Sequence, residues 1–366
     1  MHSSQARAPF RVALAVLAAG IVVPGLLFSE PTAATRTGLW VTQKLPNDSV
    51  TLEEFAFQLK DSKYLAGVCL HIPWDQIEKN PGKPDFSAID ETVAILRKSG
   101  MRYQLCLKPG AYTPSIVYAD GAQAFETRVT NPHRANVGAA IKIPVPWDPV
   151  YQRDFSRIIQ LLGQRYASDP LCVSVVLTCA NFLSAEMHLP KTRSDLSRWQ
   201  SLGDYETRLF EVYKKYTDEW AAAFPEQEIS LHLSKVLDLP PSFCERIIES
   251  GLRKYPERFS IQNCQLTGRR EDSGMMSYDL VQKYRQRVHH GFQSLASLSP
   301  PNERMGSIEM AALNIVHAGG EYWELWHGDG FSRETRSAVA KIWQEARRLG
   351  YDAYREKLIS EGKYRQ

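Results

Sequence analysis

From residue 38 onward, short apolar runs alternate with longer stretches in which apolar residues recur every three or four positions. Runs of the first kind have the length of buried strands, and stretches of the second kind have the period of helices that pack on one face. Eight strands are predicted, at residues 38–45, 67–74, 102–110, 173–180, 228–236, 259–267, 290–296 and 321–326. Eight helices are predicted, at residues 51–60, 87–98, 148–166, 204–223, 241–253, 277–288, 306–317 and 333–349. Regular alternation predicts a parallel sheet, and eight repeats predict its closure into a single-domain (β/α)8 TIM barrel over residues 35–366; an open doubly wound sheet is the alternative.

Helix boundary signals agree with this division. Thr51 with Glu54, and Ser87 with Asp90, have the spacing of capping boxes at helix N-termini. Gly100 and Gly350 follow the ends of two predicted helices.

Within the strands, one register is apolar and should face the helices, as in Val68, Leu70 and Ile72. Side chains alternate along a strand, so the other register should point into the barrel. That register is polar in most of the strands: His71, Gln104, Lys108, His232, Gln262, Gln293 and Glu324. Buried polar groups need partners or a ligand. We therefore expect either a binding site at the C-terminal mouth of the barrel, where (β/α)8 enzymes hold their active sites, or a self-satisfied polar network.

The longest insertion, residues 111–147, follows the third strand and ends in a proline-rich segment around Trp147. Prolines fix the backbone. Trp147 is therefore predicted to stand rigidly near the mouth, or else to fill a small core within the loop.

Composition limits the partners. The chain is 43% hydrophobic and 10% aromatic, with eight Trp and sixteen Tyr, which is compatible with stacking on sugar rings. Its formal charge of +3 is spread along the sequence, so neither nucleic acid nor an anionic membrane surface is predicted as a partner.

The N-terminus has the pattern of an export signal. Arg7 and Arg11 precede an apolar stretch at residues 12–28, and the small residues Thr32, Ala33 and Ala34 suit cleavage. Residues 1–34 are predicted to be a signal peptide, or alternatively an uncleaved membrane anchor. In both cases the barrel would work outside the cytoplasm, in a periplasmic or extracellular location.

Six cysteines contain no Cys-x-x-Cys pair and are expected to be free and buried, with at most one disulfide. The nine histidines have no metal-ligand spacing, so no metal and no cofactor are predicted. His71 and His232 are interpreted as ligands of sugar hydroxyls or as buried, satisfied residues, in preference to zinc ligands.

Residues 67–90 contain an apolar run, then Trp74-Asp75-Gln76-Ile77-Glu78, a Pro/Gly turn and a helix start. This order resembles the second βα unit of clan-A barrel glycoside hydrolases. Residues 185–190, Ala-Glu-Met-His-Leu-Pro, resemble the stretch that carries the general acid in β-amylase-type barrels, although the Asn-Glu dipeptide of most clan-A enzymes is missing. The resemblance implies that Glu186 is the catalytic acid.

The second carboxylate is less directly marked. Clan-A enzymes carry their nucleophile on the seventh strand, where this chain has Gln293 and no acid. Glu324, on the eighth strand between aromatic residues, is predicted instead, with Asp75, Glu78 and Asp329 as further candidates. The fourth and eighth strands lie opposite each other, which favours a wide gap between Glu186 and Glu324 and an inverting mechanism.

We therefore expect an exported glycoside hydrolase acting on an oligosaccharide or polysaccharide. Ten residues are predicted to bind the substrate: His71, Trp74, Asp75, Lys108, Trp147, Asn181, His232, Gln262, Gln293 and Trp326. Two alternatives stay open: a catalytically silent carbohydrate-binding barrel, and a barrel hydrolase of another chemistry, such as a metal-dependent amidohydrolase.

Overall fold

The computed structural model describes residues 35–46, 51–80, 82–271, 275–299 and 303–366. The predicted leader, residues 1–34, lies outside the described residues. Among the described helices, none is both long and apolar enough to cross a bilayer.

Eight parallel strands form a closed barrel, each hydrogen-bonded to its neighbours in chain order, with the last paired to the first. The strands are β1 (Gly38–Lys44), β2 (Leu65–Pro73), β3 (Arg102–Lys108), β4 (Cys172–Val176), β5 (Glu228–Leu233), β6 (Phe259–Leu266), β7 (His289–Ser294) and β8 (Tyr322–Leu325). This closure confirms the predicted (β/α)8 barrel and excludes the open sheet.

Helices surround the barrel. In chain order they are α1 (Leu52–Lys60), α2 (Trp74–Ile77), α3 (Ser87–Lys98), α4 (Ser115–Ala119), α5 (Pro149–Tyr166), α6 (Arg193–Ser201), α7 (Tyr205–Ala223), α8 (Pro241–Lys254), α9 (Met276–Tyr284), α10 (Ile308–Ala318), α11 (His327–Phe331), α12 (Arg333–Leu349) and α13 (Tyr351–Ser360). A 3₁₀ turn, Gly110–Tyr112, follows β3. All eight predicted helices are present, and the short helices α2, α4, α6, α11 and α13 were not predicted.

One of the two predicted capping boxes is present. The Thr51 hydroxyl accepts a hydrogen bond from the Glu54 amide, and the Glu54 side chain accepts one from the Thr51 amide. The box at Ser87 is wrong: Ser87 is the first helical residue, and its amide donates to the Asp85 carboxylate at 2.9 Å. Asp85 supplies the acceptor because the helix already includes Ser87, the residue that the pattern placed just outside it.

The insertion after β3 has its own structure. Ala124–Arg128 and Ala140–Pro144 form an antiparallel hairpin, which the sequence pattern did not reveal. Phe125 of this hairpin stacks on Trp199 of α6 with ring centroids 3.7 Å apart. The insertion is therefore fixed to the outer ring of helices.

Strand registers agree with the predicted alternation. The outward residues of β2, β3 and β5 belong to the main apolar core between barrel and helices: Val68, Leu70, Ile72, Tyr103, Leu105, Leu107, Ile229, Leu231 and Leu233. The polar register fills the barrel interior, and the lower layers of that interior are hydrogen-bonded around Arg36.

Arg36, just before β1, enters the barrel from its N-terminal end and is completely buried. Its guanidinium uses all five N–H donors. The acceptors are Glu228 Oε1 at 3.0 Å, Gln104 Oε1 at 2.9 Å, Gln262 Oε1 at 3.0 Å, Ser230 Oγ at 2.7 Å and the Tyr322 hydroxyl. This end of the barrel is thus closed by a charged, hydrogen-bonded plug, which leaves the opposite end for a site.

Candidate active site

A cavity of about 400 Å³ opens at the C-terminal ends of the strands. Six of the predicted site residues line it: His71, Lys108, Glu186, His232, Gln293 and Trp326. It is also lined by Thr42, Gln43, Lys44, Leu45, Tyr112, Arg134, Leu183, Ser184, Ala185, Cys264 and His327. The cavity has the position that active sites take in (β/α)8 enzymes.

Glu186 is held by the loop that follows β4. The Asn181 amide group donates to the carbonyls of Ala185 at 2.9 Å and Glu186 at 2.8 Å, and its Oδ1 accepts from the Cys179 amide at 2.8 Å. The next amide, that of Met187, donates to the carbonyl of His232 on β5 at 3.0 Å. Both sides of Glu186 are therefore tied to the barrel, and its carboxyl is presented to the cavity.

Burial raises the pKa of Glu186 to about 7, although Arg134, Ser184 and His71 act in the opposite direction. A carboxyl with that pKa carries a proton in a large fraction of molecules at neutral pH. This is the state that a general acid needs.

Glu324 lies one layer below the cavity and has no exposed surface. Oε1 accepts from the Thr42 hydroxyl at 2.6 Å and from Gln293 Nε2 at 2.8 Å, while Oε2 accepts from Gln262 Nε2 at 3.2 Å. Thr42 and Gln293 themselves line the cavity. Glu324 is thus connected to the cavity through these two side chains and does not face it directly.

The cavity contains more positive than negative groups. Lys44, Lys108 and Arg134 line it, and Glu186 is the single acidic residue among the described lining residues. The Lys108 ammonium lies 4.5 Å from the centre of the Tyr112 ring. Burial lowers the pKa of Lys108, with Arg134 adding to this effect and Cys106 opposing it. The site therefore favours a ligand that brings negative charge.

His232 is almost fully buried in the cavity wall. Burial lowers its pKa well below the usual value, and Arg36 and His71 act in the same direction. Its Nε2 is buried without a hydrogen-bond partner among the described residues. A neutral imidazole with a free polar atom is suited to bind a hydroxyl group.

Five predicted substrate-binding residues are not in the cavity wall, and two of these are tryptophans in aromatic clusters. Trp74 is fully buried, packs against Phe155 and Tyr151 and donates to Glu78 at 2.8 Å. It points to the helices because it continues the outward register of Val68, Leu70 and Ile72. Trp147 packs on Trp199 with ring centroids 5.8 Å apart, which is the small loop core given as the alternative.

The other three act below or beside the site. Asn181 positions the Glu186 loop, and Gln262 belongs to the buried network that joins Arg36 to Glu324. Asp75 is partly exposed. The loss of some of its hydration raises the pKa of its carboxyl, while backbone hydrogen bonds and the nearby Lys108 oppose this rise. A sequence pattern shows which strand face a residue occupies, but not its depth along the barrel axis.

The remaining carboxylate candidates have structural partners. Glu78 is bonded to Trp74 and Arg157. Asp329 accepts from the Ser297 hydroxyl and from the amides of Leu298 and Ser299. None of the three carboxylates lines the cavity, but Asp75 lies close enough to the lining residue Lys108 for each to affect the pKa of the other.

Sequence reasoning missed several lining residues. Arg134 and Tyr112 belong to the insertion, whose fold the pattern did not reveal. Thr42 could have been found from strand alternation. Its neighbours in β1, Leu39 and Val41, face the helices, so Thr42 must point into the barrel, where its hydroxyl donates to Glu324.

Two cysteines interpreted as simple apolar core residues have polar surroundings. The ligand atoms of Cys69, His71 and Cys106 all lie within 4.8 Å of one another. Burial acts to raise the pKa of Cys106, but hydrogen bonding with Cys69 and the nearby His71 and Lys108 lower it to about 5. All six cysteines are free and buried.

The fold and the site define a (β/α)8 barrel with an acid-bearing cavity at its C-terminal mouth. No protein-family model matches the sequence, and no curated protein matches it significantly. Solved structures do match. The β-galactosidase of the psychrophilic Marinomonas ef1 superposes with a TM-score of 0.55 and 11% identity, over 88% of this chain and 62% of the other.

Two further structures give the same result. The β-galactosidase of Halorubrum lacusprofundi has a TM-score of 0.55 and 13% identity, over 84% of this chain and 58% of the other. Xylanase 10B of Thermotoga petrophila has a TM-score of 0.52 and 9% identity, over 84% of this chain and 94% of the xylanase chain. The chain spans 58–62% of the length of these two β-galactosidases. At these identities the similarity establishes the fold.

Proposed function

We propose that this chain is an exported glycoside hydrolase whose general acid is Glu186. The observation that carries the proposal is a carboxyl group with a pKa of about 7 on a cavity at the mouth of a (β/α)8 barrel. Glycosidic bond cleavage requires a protonated carboxyl to give its proton to the leaving oxygen. The glycoside hydrolases that share the fold support this reading.

A second carboxylate completes the reaction, and we assign Glu324 to it. The Thr42 hydroxyl lies at the cavity wall and donates to Glu324 Oε1 at 2.6 Å. A water attacking the anomeric carbon would give its proton to Thr42 Oγ1 while Thr42 passes its own proton to Glu324. Glu186 is left ionised and Glu324 protonated, and exchange with solvent restores both.

Inversion follows from this arrangement. Glu324 is fully buried behind Thr42 and Gln293, so its oxygens have no direct approach to a sugar carbon. A covalent glycosyl-enzyme needs that approach, whereas activation of a water through Thr42 does not.

The excess of cations directs the choice of substrate. Lys44, Lys108 and Arg134 around one cavity favour a saccharide that carries carboxylate or sulfate groups. We expect a uronic-acid-containing or sulfated saccharide to be turned over with a lower KM than its neutral analogue.

The decisive experiment is turnover on a panel of neutral, uronate-containing and sulfated glycosides, with product stereochemistry followed by NMR at early times. Glu186→Gln and Glu324→Gln should each lower kcat by about 10²–10⁴-fold. Thr42→Val should resemble Glu324→Gln, and Thr42→Ser should retain activity. Glu91→Gln, at an exposed position of α3, is the matched control and should have no effect.

Retention of configuration, or full activity in Glu324→Gln, would contradict the assignment of Glu324 and direct attention to Asp75. Unchanged activity in Glu186→Gln would contradict the proposal as a whole.

A carbohydrate-binding barrel without activity is the second candidate. It is favoured by one observation: the seventh strand presents Gln293 to the cavity, and the carboxylate below it, Glu324, is fully buried. Micromolar binding of a saccharide, with no turnover in the same panel, would support this second function.

Export rests on the sequence of residues 1–34. Mature protein recovered from a periplasmic or extracellular fraction should begin near Thr35. Recovery of an intact leader in membranes would indicate anchoring instead.

A further inference from the structure

Two cysteines and a histidine meet inside the barrel beside the cavity. Cys69 and His71 lie on β2 and Cys106 on β3, and their ligand atoms are all within 4.8 Å of one another. Both cysteines are completely buried, while His71 also lines the cavity. This cluster is not used by the proposed glycosidase chemistry.

The strand register argues against a disulfide between the two cysteines. Cys106 is level with His71, two residues beyond Cys69. With about 3.3 Å per residue along a strand and about 4.8 Å between strands, the two Cα atoms are roughly 8 Å apart. Disulfides span Cα distances up to about 7 Å. The two sulfur atoms are therefore better placed to bind a common ligand than to form a disulfide.

Two polar atoms of this region lack partners. The Nε2 atoms of His71 and His232 are both buried without hydrogen bonds among the described residues. Buried polar atoms are nearly always satisfied by protein, water or an ion. The unpartnered Nε2 of His71, whose ring lies beside the two thiols, indicates a ligand that the imidazole and the sulfurs would hold together.

We propose that Cys69, His71 and Cys106 form a binding site for a soft divalent metal ion, with Zn²⁺ as the occupant of best fit. Thiolate and imidazole are the ligands that Zn²⁺ prefers, and sites with three protein ligands keep a fourth position for water or substrate. Since His71 lines the cavity, that fourth position would be accessible from it. The site shares His71 with the cavity wall, but neither Glu186 nor Glu324 belongs to it, so metal binding can be tested separately from glycosidase activity.

Metal binding by the full-length protein tests this. After reduction and chelator treatment, Zn²⁺ is titrated in competition with a chromophoric chelator, and Co²⁺ is added to a second sample. We expect one Zn²⁺ per chain, and a Co²⁺ spectrum with thiolate charge-transfer bands and tetrahedral d–d bands. Zn²⁺ should also raise the unfolding temperature, because it binds the folded state.

Cys106→Ser is the test variant, and Cys172→Ser is its matched control: a buried free cysteine on the neighbouring barrel strand. Loss of a residue that merely hydrogen-bonds to a metal ligand already costs about 10–100-fold in metal affinity, so Cys106→Ser should weaken Zn²⁺ binding at least that much. Cys172→Ser should bind like wild type.

The wild-type Co²⁺ spectrum decides the matter even if Cys106→Ser does not fold. A spectrum without thiolate bands, equal Zn²⁺ affinity in Cys106→Ser, or a Cys69–Cys106 disulfide detected by mass spectrometry of the isolated protein would each overturn the proposal. None of these outcomes depends on glycosidase activity.

Discussion

At the scale of single residues, Glu186 shows how a site can be prepared at the expense of stability. Its carboxyl is placed where burial disfavours the ionised form, and the nearby Arg134 compensates in part. The folded state therefore binds a proton more tightly than the unfolded chain, whose Glu side chains have a pKa near 4.5. Between these two values the folded protein loses stability as the pH rises.

Glu186→Gln removes this effect. Since one pKa unit corresponds to about 1.4 kcal/mol, we expect Glu186→Gln to be more stable than wild type by about 1–3 kcal/mol at pH 8 and by much less at pH 4.5. Urea unfolding at the two pH values measures the difference. Equal stability at both would mean that Glu186 is not held in an unfavourable environment.

The same titration sets the activity profile. In the proposed reaction Glu186 acts in its protonated form, so kcat/KM should fall as the pH rises through about 7.

At the scale of elements, the loop after β4 is kept in place by the start of the insertion after β3. Gly110 has φ +68°, and a Cβ there would lie 2.3 Å from the Asn181 carbonyl oxygen and 2.5 Å from that of Phe182. The amide of Ala111 donates to the same Phe182 carbonyl at 2.9 Å. At this point the two loops that carry Arg134 and Glu186 touch through backbone atoms.

Gly110→Ala should push the start of the insertion away from the loop that carries Glu186. We expect a loss of about 2–4 kcal/mol in unfolding free energy, from left-handed backbone strain and a clash with backbone atoms, and a large fall in kcat. Gly100→Ala is the matched control: its φ is +62° and a Cβ there would meet nothing within 4 Å. Gly100→Ala should lose only about 1 kcal/mol of unfolding free energy, because it has the backbone strain but no clash. Equal losses in the two variants would mean that the contact with the Glu186 loop is unimportant.

At the scale of the whole molecule, the barrel interior divides into a hydrogen-bonded end and an open end. At the N-terminal end, burial opposes the ionised form of Glu228, but Arg36, His289 and Ser260 outweigh it and lower the pKa to about 2. His289 has a raised pKa: burial opposes its charge, and Glu228 overcomes this. At the other end, Thr42 and Gln293 are hydrogen-bonded to Glu324 and also line the cavity, and the buried Nε2 atoms of His71 and His232 have no hydrogen-bond partner among the described residues.

The buried network of Arg36, Glu228 and His289, which closes the N-terminal end of the barrel, makes the free energy of unfolding depend on pH. Glu228 stabilises the fold above its unfolded pKa near 4.5, and this contribution is lost as the pH falls toward 2. His289 contributes below its unfolded pKa near 6.5 and loses its contribution as the pH rises through its raised folded value. The contribution of the plug should therefore be greatest between about pH 4.5 and 6.5.

Arg36→Met leaves Glu228 buried without its main partner and should cost about 3–5 kcal/mol at pH 5.5. The double variant Arg36→Met/Glu228→Gln should recover part of that loss and show a weaker dependence on pH below 4.5. Denaturant unfolding of both variants at pH 3, 5.5 and 8 measures this. A small loss in Arg36→Met would mean that water replaces the guanidinium.

The pattern of apolar and polar residues is enough to predict the barrel and the faces of its strands. The alternation of eight strands with helices, and the period of two within each strand, are local properties, because apolar residues must face the helices in every strand. For the same reason, the pattern alone assigns His71, Lys108 and His232 to the barrel interior, whereas the choice of Glu186 depends on the resemblance of residues 185–190 to the general-acid stretch of β-amylase-type barrels.

Which interior residues line the cavity depends on tertiary contacts that no local pattern contains. Strand register and loop packing set the depth of each side chain, and these depend on contacts between residues far apart in the chain. Gln262 and Glu324 therefore became part of a buried network, and Trp147 packed on Trp199 of α6. Cys69 and Cys106 met beside His71 because the pairing of β2 with β3 places them there, which no pattern within either strand could show.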